Sequence, residues 1–177
     1  MWLTSLTLAF QLTVATGQIQ NPPYIPVWSG PEPIKYCVSQ EMEPYREEVV
    51  RAVKTWEPWV WTAFVETKDC GGMRTITYSF AVLQASIGYT QYPPPLFPEP
   101  WAGDVWIDRR LPWYVPQTRE YLLPLLIHET GHALGLGESY NPEDVMFPFV
   151  GKDKKVPTLR EQKMMLCLYR GMCSWQW

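Results

Sequence analysis

Residues 127–139 read IHETGHALGLGES and contain both histidines of the 177-residue chain. His128 and His132 are four residues apart, so on a helix they lie on one face and can direct two ring nitrogens at a single metal ion. Glu129 follows the first histidine, where it can contact a water on that ion without binding the ion itself. The spacing therefore predicts a helix over residues 121–136 that carries a metal site.

The third ligand of this site cannot be a histidine. A zinc ion in a catalytic site takes three protein ligands and leaves one position for water, and no further histidine exists in the chain. Gly135 and Gly137 can take the positive φ angles that end a helix, which would turn the chain back and present Glu138 to the ion. The remaining candidates are carboxylates and thiolates, and we predict Glu138 as the third ligand, with Asp144 and Glu143 as the alternative carboxylates.

The overall charge and composition argue against several classes of protein. The chain has 15 basic and 18 acidic side chains and a net charge of −3, so it lacks the basic surface that nucleic-acid binding requires. No stretch approaches the ~20 apolar residues of a membrane span. The length fits a single domain, and we expect a monomer.

The N-terminal 17 residues have the features of a secretory signal peptide. They are uncharged and mostly apolar, and they end in the small residues Ala15 and Gly17, which suit cleavage. A buried N-terminal strand is the alternative. Residues 18–33 are proline-rich and predict an extended arm, and residues 34–177 form the single predicted domain. The protein is therefore expected to be secreted.

The cysteines also indicate an oxidising, extracellular compartment. Four cysteines, Cys37, Cys70, Cys167 and Cys173, fit an exported protein with two disulfides. Three pairings are possible, and we favour Cys37–Cys70 with Cys167–Cys173. No C-x-x-C spacing is present, which argues against a zinc knuckle or a thioredoxin-type site. Four buried free thiols in a reducing compartment are the alternative.

Strand patterns come early in the chain and helix patterns come late. The predicted strands cover residues 34–38, 63–66, 74–80, 87–92 and 104–108. Predicted helices cover residues 44–56, 121–136 and 158–169, and the last begins with a capping box formed by Thr158 and Glu161. This order predicts an α+β domain.

The histidine stretch also resembles a known signature. The metzincin zinc peptidases carry H-E-x-x-H-x-x-G-x-x-H/D followed by a methionine turn. Within them the matrixin motif H-E-x-G-H-x-L-G-L-x-H-S with M-Y-P is much the closest, and here it reads HETGHALGLGES with Met146, Phe147 and Pro148. Weaker similarities, such as GDVWID at residues 103–108 and LYRG at residues 168–171, extend the resemblance over residues 27–171. An accidental pair of core histidines is the alternative.

The resemblance implies a fold and an activity. The fold would be a twisted, mostly parallel sheet with three helices, in which the active-site helix lies below a cleft. The activity would be that of a zinc-dependent endopeptidase acting on proteins or peptides, with a single Zn²⁺ held by His128, His132 and Glu138 and with Glu129 as the general base. An extended substrate would lie along the edge strand near residues 88–91.

Three further residues are predicted to support the site. The resemblance implies that Gly135 ends the active-site helix and that Met146 packs beneath the metal, followed by Pro148. Val150 stands where many matrixins have the tyrosine that forms a wall of the specificity pocket.

The sequence also departs from the matrixin pattern. Glu138 replaces the family's histidine or aspartate, and a carboxylate would reduce the Lewis acidity of the zinc. The histidines of the family's second, structural zinc site are missing, as is the cysteine switch. Asp108 is followed by Arg109 and Arg110, which argues against a calcium site, so Asp104 and Asp108 are predicted to be polar residues at strand ends. A catalytically weak metal-binding or structural protein, for instance of a virion or a cell surface, is therefore the alternative function.

Overall fold

The computed structural model describes Trp28 and residues 32–60, 62–72, 75–91 and 103–171. The predicted signal peptide at residues 1–17 lies outside the described residues, as does most of the arm at residues 18–33. Within the described part of the chain, no helix combines the length and the apolar character needed to cross a membrane.

Five short strands form one mixed sheet. They are β1 (Ile34–Val38), β2 (Phe64–Glu66), β3 (Thr75–Ala81), β4 (Gly88–Thr90) and β5 (Val105–Asp108). Their order across the sheet is β2-β1-β3-β5-β4. Neighbouring strands are parallel except β4 and β5, which are antiparallel. All five predicted strands are therefore present, and β4 forms one edge of the sheet.

The α-helices are α1 (Arg46–Trp56), α2 (Pro116–Arg119), α3 (Leu122–Ala133) and α4 (Leu159–Arg170). The single turn α2 is not predicted from the sequence. The predicted start of the first helix at Pro44 is wrong by two residues, because Gln40–Tyr45 form a 3₁₀ helix and α1 begins at Arg46. Pro44 has no N–H to donate and restricts the preceding turn, so the α-helical bonding begins after it.

The predicted apolar face of α1 packs against α3. Val49, Val53 and Trp56 are each fully buried, and burial of a side chain of this kind contributes about 1.5–3 kcal/mol relative to exposure. The indole nitrogen of Trp56 also donates a hydrogen bond to the carbonyl of Ile127 on α3, at 2.9 Å. This face therefore holds the histidine-bearing helix in a defined position.

A disulfide joins β1 to the turn that leads into β3. The pair is Cys37–Cys70, one of the two favoured pairings. Cys167 on α4 is disulfide-bonded as well, and Cys173, its expected partner, lies outside the described residues. No described cysteine is free, so the alternative of four free thiols is wrong.

The predicted capping box opens α4. Thr158 accepts a hydrogen bond from the backbone N–H of Glu161, and the Glu161 carboxylate accepts one from the backbone N–H of Thr158 at 2.7 Å. Gly171 follows the helix with a φ of 63°, which suits a glycine C-cap. The capping box acts within one helical turn, and for this reason the pattern of the sequence predicts it well.

Candidate metal centre

Helix α3 is buried along its whole length. All of its residues from Leu122 to Ala133 are buried, so its last carbonyl groups require partners from the protein. The indole nitrogen of Trp28 donates to the carbonyl of Ala133, and the hydroxyl of Tyr169 donates to that of Leu134, each at 3.0 Å. Side chains from both ends of the described chain thus hold the end of α3 in place.

The chain reverses after α3 at one glycine. Gly135 has a φ of 97°, a conformation that glycine adopts at little cost. Its N–H donates to the carbonyl of His132 at 2.9 Å, and the next N–H, of Leu136, donates to that of Gly131 at 3.0 Å. The predicted positive φ is confirmed at Gly135. Gly137 does not adopt a positive φ.

His128 and His132 face one another across one turn of α3. Their Nε2 atoms are 3.0 Å apart. The Nδ1 atom of His128 is 2.9 Å from the carbonyl oxygen of Val145, and that of His132 is 2.8 Å from the carbonyl oxygen of Leu136. Because a carbonyl oxygen can only accept, each Nδ1 carries a proton. In the neutral rings both Nε2 lone pairs therefore point into the same space, where they repel unless a cation lies between them.

The Glu138 carboxylate lies beside both imidazoles. Its Oε1 atom is 3.4 Å from Nε2 of His132 and 3.7 Å from Nε2 of His128. Its Oε2 atom is buried and has no hydrogen-bond partner among the residues that the structure describes. Burial raises the pKa of Glu138, but the two neighbouring imidazoles, when they are protonated, outweigh burial and lower the pKa to about 2. The carboxylate is therefore ionised throughout the neutral range.

The electrostatics of this pocket favour a positive charge. Burial lowers the pKa of His128, but the nearby carboxylates of Glu138 and Glu129 outweigh it and raise the pKa above its ordinary value. Two carboxylates thus act on a fully buried imidazole. A metal cation bound here would be stabilised by the same two negative charges.

The three ligand atoms fit a zinc ion. Zinc binds nitrogen and oxygen ligands tetrahedrally at about 2.0–2.1 Å, so neighbouring ligand atoms lie about 3.3–3.4 Å apart. The separations here are 3.0, 3.4 and 3.7 Å, which bracket that distance. Over the described ranges, His128, His132 and Glu138 are the one group of three or more potential metal ligands whose donor atoms converge.

Met146 packs directly beneath this turn of α3. Gly131 lies between the two histidines, and a Cβ atom placed there would collide with the Met146 sulfur. The carbonyl of Met146 accepts a hydrogen bond from the N–H of Ser139 at 2.7 Å. Met146 therefore contacts the histidine-bearing helix and also closes the loop that carries Glu138. Pro148, the other predicted supporting residue, is half-buried.

The alternative carboxylates lie apart from the histidines. Asp144 is fully buried, and its oxygens accept hydrogen bonds from Thr158 at 2.7 Å and from Ser139 and Arg160. Burial raises the pKa of Asp144, but these three partners outweigh it and lower the pKa. Glu143 is exposed. Neither joins the converging ligand group in the described part of the chain, so Glu138 is the carboxylate that the fold brings to both histidines.

Glu129 lies between α3 and the edge strand β4. Its side chain is almost fully buried, and its Oε2 atom accepts a hydrogen bond of 2.6 Å from the hydroxyl of Thr90. The Thr90 hydroxyl is also 3.0 Å from the backbone carbonyl of Glu129. Glu129 does not belong to the converging ligand group, which agrees with a role beside the ion rather than on it.

The segment after β5 places an arginine side chain beside the Asp108 carboxylate. The guanidinium of Arg110 donates to both oxygens of Asp108, at 2.6 to 3.0 Å, and also to the carbonyl of Leu83. Burial raises the pKa of Asp108, but the Arg110 contacts outweigh it and lower the pKa. Arg109 pairs with Glu41 at 2.8 Å. The Asp108 carboxylate is thus neutralised by a side chain, as expected for a polar residue at a strand end.

Comparison with known families agrees with this geometry. The family model for matrixins matches residues 27–165, a range that contains the histidine pair, Glu138 and the methionine turn. The chain belongs to the matrixin family. No curated protein matches the chain. The predicted fold, an α+β matrixin domain with a mostly parallel sheet and three main helices, is confirmed. At the family level, the match indicates a zinc metallopeptidase that acts on peptides.

Two residues of this matrixin site are not predicted from the sequence. Gly131 makes room for Met146, and Thr90 contacts Glu129 from 39 residues away. The alternation of β4 is a signal that could have identified Thr90, because Gly88 and Thr90 face inward while Tyr89 is exposed. Val150 is half-buried and packs against the core.

Proposed function

We propose that this matrixin is an exported zinc endopeptidase that hydrolyses internal peptide bonds. The observation that carries the proposal is the convergence of three ligand atoms, one each from His128, His132 and Glu138, which all lie within 4.8 Å of one another. Membership of the family supports the same activity. The Cys37–Cys70 disulfide supports an oxidising, extracellular destination.

His128, His132 and Glu138 would hold one Zn²⁺. A bound zinc ion supplies Lewis acidity, which lowers the pKa of water toward ~7 and polarises the scissile carbonyl. Because Glu138 contributes a negative charge where a third imidazole would be neutral, we expect weaker Lewis acidity than with three histidines. Sets of two histidines and one glutamate nevertheless occur in active zinc peptidases.

Glu129 would act as the general base. It is next to a ligand in sequence, and its carboxylate lies between α3 and the edge strand β4, where it accepts a hydrogen bond from Thr90. A carboxylate in this position can take a proton from the attacking water and pass it to the leaving amine. Its burial keeps bulk water from competing for that proton.

The edge strand β4 would bind the substrate. The N–H of Asp108 donates to the carbonyl of Ile87, and the N–H of Gln91 donates to the carbonyl of Asp104. Bonded and non-bonded pairs alternate in an antiparallel ladder, so the backbone N–H and C=O groups of Gly88 and Thr90 face away from β5. An extended peptide could pair with these groups and add itself to the sheet.

A mixed peptide library tests the proposal. We expect the zinc-loaded protein to cleave internal bonds, with products identified by mass spectrometry, and we expect a chelator to stop cleavage and added zinc to restore it. The Glu138 carboxylate favours the second candidate, a metal-binding or structural protein with poor turnover. A protein that holds one zinc ion per chain but cleaves no peptide in the library would establish that second candidate and refute the peptidase.

A further inference from the structure

Residues of the edge strand β4 lie next to both oxygens of the Glu129 carboxylate. Thr90 donates to Oε2 at 2.6 Å, and a Cβ atom on Gly88 would come within 2.5 Å of Oε1. Both residues lie on the inward face of β4, on either side of the exposed Tyr89. We propose that Thr90 is a positioning residue that fixes the orientation of the Glu129 carboxylate for proton transfer. This inference rests on the peptidase function proposed above.

The hydrogen bond is buried at both ends. Thr90 and Glu129 are each 2% exposed, so water cannot easily replace the hydroxyl if it is removed. The terminal torsion of a glutamate is broad, and without a donor the plane of the carboxylate would not be fixed. A hydrogen bond to an ionised group is roughly twice as strong as one between neutral groups, and a low local dielectric strengthens it further.

The Thr90 hydroxyl lies close to the backbone of α3 as well as to the carboxylate. Its oxygen is 3.0 Å from the backbone carbonyl of Glu129, and its single proton is directed to Oε2, the nearer acceptor at 2.6 Å. Gly88 leaves the other oxygen enough room while keeping the strand backbone close. The carboxylate is thus oriented by a donor on one side and confined by the strand on the other.

Thr90 also connects the carboxylate to the proposed substrate edge. Its side chain faces Glu129, whereas its backbone N–H and C=O face away from β5, toward the edge on which an extended peptide would pair. One residue therefore contacts both the strand that would hold the substrate and the group that would move the proton.

Kinetics of three variants test the proposal. Thr90→Val keeps the shape of the side chain but removes the donor, and we expect kcat to fall about 10–100-fold, as for residues that orient a catalytic group, with KM within about twofold and zinc content unchanged. Thr90→Ser should recover most of the lost kcat. Thr75→Val is the matched control, because Thr75 is a buried strand threonine whose hydroxyl has no hydrogen-bond partner among the described residues.

Thermal unfolding of the zinc-loaded protein gives a readout that does not depend on activity. We expect Thr90→Val to lower the unfolding midpoint by about 3–8 °C, and by less than half of that shift in a Glu129→Met background, which lacks the acceptor. Equal shifts in the two backgrounds, or a Thr90→Val enzyme with the parental kcat, would overturn the proposal. If the parent cleaves no peptide, the peptidase function fails, and a smaller shift in the Glu129→Met background still supports the contact between Thr90 and Glu129.

Discussion

At the scale of single residues, Glu138 decides which metal chemistry the site can support. We expect Glu138→Ala to weaken zinc binding and abolish peptide cleavage, because two imidazoles alone hold zinc poorly. Glu138→His should retain zinc and raise kcat, since a neutral ligand leaves the metal more positive. Zinc affinity measured by competition with a chelator, together with kcat, checks both variants.

Glu143→Ala is the control for Glu138, because Glu143 is an exposed glutamate of the following loop. It should retain the zinc affinity of the parent. Asp144→Ala tests the remaining alternative ligand. If Asp144→Ala loses zinc while Glu138→Ala binds it as tightly as the parent, the third ligand is misassigned.

Glu129 is expected to move a proton without binding the metal. We therefore predict that Glu129→Gln retains one zinc ion per chain but lowers kcat by about 10²–10⁴-fold, the usual contribution of a general base. Metal analysis and kinetics on the same preparation check this prediction. Full activity in Glu129→Gln would remove the assignment, and loss of zinc would instead point to a role in ligation.

At the scale of secondary-structure elements, Gly135 determines how the chain leaves α3. Its φ of 97° is costly for any residue with a Cβ atom, so we expect Gly135→Ala to lower the free energy of unfolding by about 1–3 kcal/mol. The variant should also bind zinc more weakly, because the loop that presents Glu138 starts at this residue. Urea unfolding and chelator competition measure the two effects.

Gly151→Ala is the matched control for this substitution. The φ of Gly151 is not positive, and a Cβ atom there would make only ordinary contacts with Lys154, at 3.5 to 3.7 Å. The control should leave the free energy of unfolding unchanged or raise it slightly. Equal losses in the two variants would mean that the conformation of Gly135 has no special role.

The cluster around Asp144 links the loop that follows α3 to the start of α4. Its partners Ser139, Thr158 and Arg160 lower the pKa of Asp144. A carboxyl group whose pKa is lower in the folded state stabilises the fold above its unfolded pKa, about 3.9 for aspartate, and this contribution is lost as the pH falls toward the folded value. We therefore expect the stability difference between the parent and Asp144→Asn to be largest above about pH 4 and to shrink below it.

Urea unfolding of both proteins at a series of pH values measures this difference. Asp153→Asn, at an exposed position, is the control for the loss of one carboxylate. A difference between the parent and Asp144→Asn that stays constant down to acidic pH would contradict the assignment of the stabilising contacts to ionised Asp144.

At the scale of the whole molecule, the number of histidines limits the number of zinc sites. The chain has only two histidines, and both lie in the same ligand group. We predict one tightly bound zinc ion per chain after desalting, measured by metal analysis against protein concentration. Two zinc ions per chain would require a second site built without imidazole.

The sequence determined those features that depend on local chemistry. Alternating and helical patterns predict the strands, α1 and α4, because each of these elements buries one apolar face. The capping box at Thr158 is predicted because it provides hydrogen-bond partners for N–H groups within one helical turn. The reversal at Gly135 is predicted because the required φ angle depends on that residue alone. The pair His128 and His132 is predicted because helical periodicity alone places the two rings on one face.

Contacts between residues far apart in the chain depend on how the strands and loops are arranged in the fold. The contacts of Thr90 with Glu129, of the His128 ring with the carbonyl of Val145 and of Arg110 with Leu83 join residues 39, 17 and 27 positions apart. Each depends on the register of a strand or the path of a loop, and an error of one residue in either would direct the side chain elsewhere. The convergence of Glu138 on both histidines has the same origin: the glycine after α3 permits the turn, and the loop is then held by the hydrogen bond from the N–H of Ser139 to the carbonyl of Met146, which packs against Gly131.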